Sequence, residues 1–353
     1  AHHALSLDSM RKPELYRRTI PTWPLVLLCG LLTIVFVFGG IAKLNADWFA
    51  GEPIRHWLRD RAASSVLGDL LASEPVVMCV VWGGAAYDLL VGPALLWKKT
   101  RVPAVLASVF FHLSNAYLFS IGIFPWFMLA CTTLFLDPSW PRKMPLYGAD
   151  LDRLLNRGEP SEKKEPSARE RQLVEATLGV FFLVMLLLPL RHHLYPGDVA
   201  WTEEGHYMSW RMKLRHKEGV ISFVLTDPAS GQQWRVDPSE QLTPRQAEKV
   251  VGRPDLILQY AHYLRDAYKR ERGVDVEVRV DAMVSLNYRA RQRFIDPTVD
   301  LAKVDHSLLR YTWVTPFEDT PLPSPVAPAG KALHLVARRI QVAASSTTQL
   351  GAR

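Results

Sequence analysis

Four polar residues sit inside or at the edge of apolar runs in this chain, and each asks for a chemical reason: Lys43, Asp88, His112 and Asn115. A lysine or aspartate at the centre of a membrane helix costs about 2.5–3.5 kcal/mol on insertion scales. Lys43 closes the run in FGGIAKLNADW, where Phe36, Gly40 and Lys43 stand at i, i+4 and i+7 and share one helix face. Gly39 and Gly40 would let another backbone or a flat ligand approach closely. Desolvation penalises an ammonium, so a lysine in an apolar pocket can become a neutral amine able to take a proton. The plainer alternative has Lys43 snorkel to the interface and pair with Asp47 at i+4. His112, Asn115 and Phe119 share another face at i, i+3 and i+7. Such a set suits a hydroxylated or carbonyl-bearing ring, or else an interhelical hydrogen bond that fixes packing. Asp88 lies four residues from both Gly84 and Gly92, which turns it toward a neighbouring helix as structural glue or as a catalytic group.

The elements that must position these residues are membrane helices. A spanning helix needs about 20 mainly apolar residues. Trp23–Ala42, Pro75–Trp97 and Val102–Ile123 meet that length, and Val174–Leu190 comes close. Phe124–Leu136 is shorter and follows with almost no polar break, as a tight hairpin or re-entrant piece would. Hydrophobic residues make up 48% of the 353 residues but concentrate before Arg191, so residues 1–190 read as a multi-pass helical membrane domain. The chain opens on Ala1-His2-His3, without a signal-peptide pattern, and we expect it to begin inside a larger membrane domain.

If all five stretches cross, residues 1–21, 98–101 and 137–173 share one side and carry four, three and eight Lys/Arg. The opposite loop, 43–74, carries four. The basic side is then cytoplasmic, which puts everything after Leu190 outside the cytoplasm. The net charge of +7 is accounted for by topology and anionic lipid, so membrane lipid is an expected partner and nucleic acid is not. Cys29, Cys79 and Cys131 fall in apolar stretches and read as packing residues. His2, His3, His112, His192, His193 and His216 form no metal-ligand pattern, and no metal is expected. The sequence has no phosphate-cradling glycine loop and no GxSxG nucleophile elbow.

Residues 151–172 form a charged connector. Beyond it, 191–320 reads as a small mixed α/β, strand-rich extracytoplasmic domain. Gly219–Thr226 and Gln233–Val236 look like strands around an Ala-Ser-Gly turn, and Asp275–Leu286 alternates with period two. Thr243–Arg272 carries helical spacing, with Thr243 before Pro244 as its start. Tyr207 and Trp210 could line a site near the bilayer surface or serve as interface anchors. Residues 321–353 are Pro-, Ala- and Ser-rich and are expected to be disordered.

Five segments resemble, in order, the vitamin K-dependent gamma-glutamyl carboxylases: FGGIAKLNADW, FHLSNAYLFSIGIFPWFMLA, DPSWPRK, MSWRMKL and MVSLNYRARQRFIDPTVDL. The similarity runs from His3 to about Pro316 and is that of a bacterial-type relative in an inner membrane. It implies an enzyme that oxidises vitamin K hydroquinone with O2. In that family a lysine deprotonates the hydroquinone, and the strong base formed with oxygen removes a γ proton from a peptide or protein glutamate. The carbanion captures CO2, and vitamin K epoxide is the co-product. The resemblance carries the lysine role to Lys43, quinone contacts to Phe36, His112, Asn115, Phe124 and Met128, and a glutamate contact to Trp210. Departures are Ala42, where a second lysine can occur, Phe36, where a tyrosine can occur, and the basic Arg211, Lys213 and Arg215 after Trp210. Alternatives are a quinone epoxidase-like oxidoreductase without protein carboxylation, or a non-enzymatic quinone-binding scaffold.

Overall fold

The computed structural model describes residues 7–12, 21–119, 121–143, 166–307 and 310–323. Most of the 151–172 connector and nearly all of the 321–353 tail lie outside the described residues. Among the described residues, four helices are long and apolar enough to cross a membrane. These are α1 (Trp23–Ala42), α3 (Glu74–Leu96), α4 (Arg101–Phe119) and α6 (Ala168–Leu187), the last continuing as a 3-10 turn to Leu194. Helix α2 (Ile54–Ala62) lies in the loop between α1 and α3, and α5 (Phe124–Thr132) follows α4. Side chains such as Trp82, Leu90, Phe110, Val180 and Leu183 are exposed on these helices. In water that surface would be costly; against lipid it is matched, because helices satisfy their own backbone hydrogen bonds.

Helices α1 and α3 form the central pair. A β carbon at Gly40 would lie 2.7 Å from the Leu89 amide nitrogen, so the absence of a side chain there is what lets the backbones meet. Helix α6 leans on α1 through Phe182, whose ring occupies the space a side chain at Gly30 would need. The Phe124–Leu136 stretch is helical as α5 with a 3-10 turn to Phe135. At 1.5 Å per residue it is about 18 Å long, too short for a core of about 30 Å. It nevertheless returns the chain: Leu134–Asp137 share a groove with Leu25, Cys29, Lys98 and Arg101, at the end of the bundle opposite Lys43.

The strand-rich part is one antiparallel sheet of order β2-β1-β3-β4. Its strands are β1 (Lys217–Thr226), β2 (Gln233–Val236), β3 (Glu277–Leu286) and β4 (Gln292–Arg293), with Phe223 opposite Val280. Val278, Val280, Ala282, Val284 and Leu286 point to one face and bury against Ile257, Leu258, Ala261 and Leu264 of α8 (Pro254–Arg272). The helical spacing of Thr243–Arg272 resolves into two helices, α7 (Pro244–Val251) and α8. Pro254 has no N–H to continue the first helix and restricts Arg253 before it.

The sheet docks on the Lys43 end of the bundle. Arg289 donates two hydrogen bonds to Asp47, both 2.7 Å, and Asn287 donates a third at 2.7 Å. Burial opposes ionisation of Asp47, but these hydrogen bonds and the guanidinium charge outweigh it and hold the carboxyl below the usual range. Alongside, Tyr288 is stacked between His56 of α2 and His216, at 3.5 and 4.6 Å between ring centroids.

Candidate functional site

Lys43 is the residue that caps α1, and only 7% of it is exposed. Its Nζ donates to Asp88 Oδ2 at 2.5 Å and to the Gly39 carbonyl at 3.2 Å, 5.3 Å from the centre of the Trp48 ring. The i+4 pairing with Asp47 does not form. Helix α1 ends at Ala42, and Asp47 begins a new turn aimed at the sheet domain. Asp88 comes from the middle of α3, where the close approach at Gly39 and Gly40 brings it against α1.

The amine faces a cavity of about 100 Å³ whose walls come from helices α1 to α5 and from the segment at Met212 and Lys213. Helix α1 supplies Val35 and Phe36, α3 supplies Val80, Gly84 and Asp88, and α4 supplies Phe111, His112, Asn115 and Phe119. Helix α5 adds Phe124 and Met128. Thus six residues singled out in the sequence — Lys43, Phe36, His112, Asn115, Phe124 and Met128 — line one cavity, although 92 positions separate Phe36 from Met128 along the chain. Trp48, with Ile54 and Trp57 from α2, closes the side toward the sheet domain. These three escaped the sequence reading because α2 (IRHWLRDRA) carries no apolar run; the aromatic after Lys43 in ADW was the available signal.

His112 is 2% exposed. Its Nε2 stands 3.4 Å from the Tyr87 hydroxyl, while its Nδ1 is buried without a hydrogen-bond partner among the described residues. An unmatched buried ring nitrogen costs free energy that a bound hydroxyl or carbonyl would recover. With the Asn115 amide one turn away and apolar walls elsewhere, the cavity fits a flat, mainly apolar ring with polar oxygens.

Trp210 is not among the lining residues. Its carbonyl packs toward Gly39, and its backbone lies in the left-handed region at φ 56°. Glu203, Met208 and Lys213 are also left-handed, which marks the segment as strained. The chain reversal delivers Met212 and Lys213 to the cavity instead. Lys213 Nζ lies 4.6 Å from the centre of the Trp57 ring, and desolvation by the surrounding walls pushes its pKa below the ordinary lysine value.

Fold and site together define a multi-pass membrane protein in which a helical bundle and a sheet domain outside it enclose a lysine-bearing apolar cavity. The HTTM domain family model matches residues 1–140, and the vitamin K-dependent gamma-carboxylase lumenal domain model matches residues 170–320. No solved structure matches the chain. The two matches, in this order along one chain, support the vitamin K-dependent gamma-carboxylase family.

Proposed function

We propose that this protein binds vitamin K hydroquinone in the cavity beside Lys43 and uses it, with O2 and CO2, to carboxylate glutamate side chains of a peptide or protein. The observation that carries this reading is the convergence of Lys43, an unsatisfied His112 nitrogen and Asn115 on one apolar cavity. When bound, the hydroquinone would supply the oxidative drive and the strong base needed at the glutamate γ carbon. The chain's own residues bind, orient and move one proton. Phe36, Phe124 and Met128 hold the ring; His112 Nδ1 and Asn115 fix its oxygens. Lys43 and Asp88 carry no net charge as a pair whether the shared proton sits on Nζ or on Oδ2. Passing it to Asp88 frees the amine without creating net charge in a low-dielectric site. The amine then takes a proton from the bound hydroxyl.

We assign the sheet domain to the extracytoplasmic side of a bacterial inner membrane, as a platform for the peptide. The basic Lys98–Arg101 end of the bundle, opposite the sheet, supports that orientation. The second reading, hydroquinone oxidation without carboxylation, is favoured by the position of Trp210 outside the cavity. The test uses the full chain in detergent with vitamin K hydroquinone, O2, labelled bicarbonate and a short Glu peptide. Epoxide and fixed label are counted in parallel, with Lys43→Ala beside the wild type. Both products, lost in the variant, are expected. Epoxide without label favours the second reading, and turnover unaffected by Lys43→Ala sinks both.

A further inference from the structure

A second chamber, of about 280 Å³, adjoins the cavity and shares Trp57, Phe119 and Lys213 with it. Its character differs. Where the first cavity is walled mainly by aromatics and aliphatics, this one adds Asp60 and Arg61 of α2, Ser64 just beyond it and Leu118 of α4, with Lys213 reaching in from the segment before the sheet. Arg61 lies over the face of Tyr117, 4.7 Å from the ring centre, and its Nε is buried with no hydrogen-bond partner among the described residues. A guanidinium nitrogen withdrawn from water and left unmatched is a donor waiting for an acceptor. Lys213 stands across the chamber on Trp57. Two cations against the single carboxylate of Asp60 leave the chamber one positive charge in excess, which balances one monoanion and disfavours a cation or a dianion.

We propose that this chamber holds the carboxylate of the substrate, clasped between Arg61 and Lys213. The inference rests on the carboxylase reading for the substrate's identity. Arg61 offers the planar fork that matches a carboxylate, and Lys213 offers a mobile point charge. A glutamate side chain so held would direct the carbon next to its carboxylate at the shared Trp57–Phe119 wall, toward the cavity that Lys43 faces. That is the requirement of any reaction in which a base formed in the first cavity must reach a proton of a bound acid. It also assigns a task to the basic residue that departs from the family pattern at position 213. Bicarbonate is a monoanion of the same chemistry, and the experiment must tell the two apart.

The test is equilibrium binding to the full chain in detergent, using an N-acetylated tripeptide with a central Glu and its Gln counterpart. A hydrogen-bonded charge contact of this kind corresponds to a preference of about tenfold or more for Glu over Gln. Arg61→Gln and Lys213→Gln should each lower that preference by about tenfold, and Arg61→Lys should keep part of it. Lys213 is at an exposed position, so its variant tests the idea even if Arg61→Gln does not fold. In turnover assays both variants should raise KM for the Glu peptide more than they lower kcat. Equal binding of the two peptides overturns the proposal, as does a preference that survives both substitutions. Displacement of the Glu peptide by bicarbonate at its own binding concentration would assign the chamber to bicarbonate and overturn it too. If the wild type makes neither epoxide nor fixed label, the carboxylase reading fails, while the Glu-over-Gln preference still decides whether the chamber is a carboxylate site.

Discussion

Gly40→Ala should disable the protein by moving a helix rather than by touching the cavity. The new β carbon would lie 2.7 Å from both the amide nitrogen and Cγ of Leu89, and 2.9 Å from its Cδ2. Ordinary contact begins at about 3.5 Å, so α1 and α3 must part by about 1 Å. Overpacking of this kind costs about 1–3 kcal/mol. The same seam holds the 2.5 Å contact of Lys43 with Asp88, and the Gly39 carbonyl that also binds Lys43 is one residue away. A misplacement of about 1 Å at a reacting group can cost about a hundredfold in rate. We therefore expect a lower melting temperature in detergent and a tenfold to hundredfold loss of epoxide formation at saturating hydroquinone. Gly83→Ala is the control, because nothing lies within 4 Å of a β carbon there; it should keep both values or gain slightly from helix propensity. Wild-type turnover in Gly40→Ala, with α3 intact by the Gly83 control, would refute the claim that this close approach positions the base.

Asp88→Asn leaves Lys43 buried beside a neutral amide and should destabilise the bundle by about 3–5 kcal/mol; adding Lys43→Met should restore the melting temperature but not turnover, and a double variant no more stable than the single one counts against the pairing. Arg289→Gln should cost about 1.5–3 kcal/mol and make the sheet domain easier to release by limited proteolysis, which unchanged cleavage would contradict. Because the folded-state pKa of Asp47 is depressed, its contribution is complete above the ordinary carboxylate range and lost as pH falls through the lower folded value; Asp47→Asn should flatten that acid limb in a melting series. Burial, with the Arg215 charge next, lowers the His206 pKa to about 4 from an ordinary value of 6.5. The stability linked to His206 is thus present above pH 6.5 and disappears between 6.5 and about 4, and His206→Gln should remove that slope.

How much of this was legible in the sequence depended on whether the information was local. The strand at Gln233–Val236 was read with the bounds it has, because turn chemistry and alternation act within a few residues. The run Trp23–Ala42 coincides with helix α1, whereas α6 starts at Ala168, six residues ahead of the apolar run at Val174, because its first turns are polar and capped by Ser167. The face shared by His112 and Asn115, and the one shared by Phe36 and Lys43, followed from helical period and proved to meet at one cavity. The partners did not follow. Spacing offers Lys43 the i+4 partner Asp47 as the plainer alternative to an apolar pocket, yet Lys43 binds Asp88 on another helix while Asp47 binds Arg289, more than two hundred residues on. Charge pairing across elements is decided by packing, and no local period carries it. Lys213 and Arg61 were hidden for the same reason: one sits in a basic run and the other in a charged helix, and only the fold sets them on the wall of one chamber.

The grip of Arg289 on Asp47 has a mechanical consequence. Asp47 follows Lys43 by a single turn's worth of chain, through Asn45, whose side chain caps the short helix that carries Trp48. The sheet domain and the proposed base are therefore linked in series, with little slack between them. A load on the sheet domain therefore pulls on the mount of the amine as well, and reaches the cavity beside Lys43 as a change of tension rather than as a signal passed along its surface.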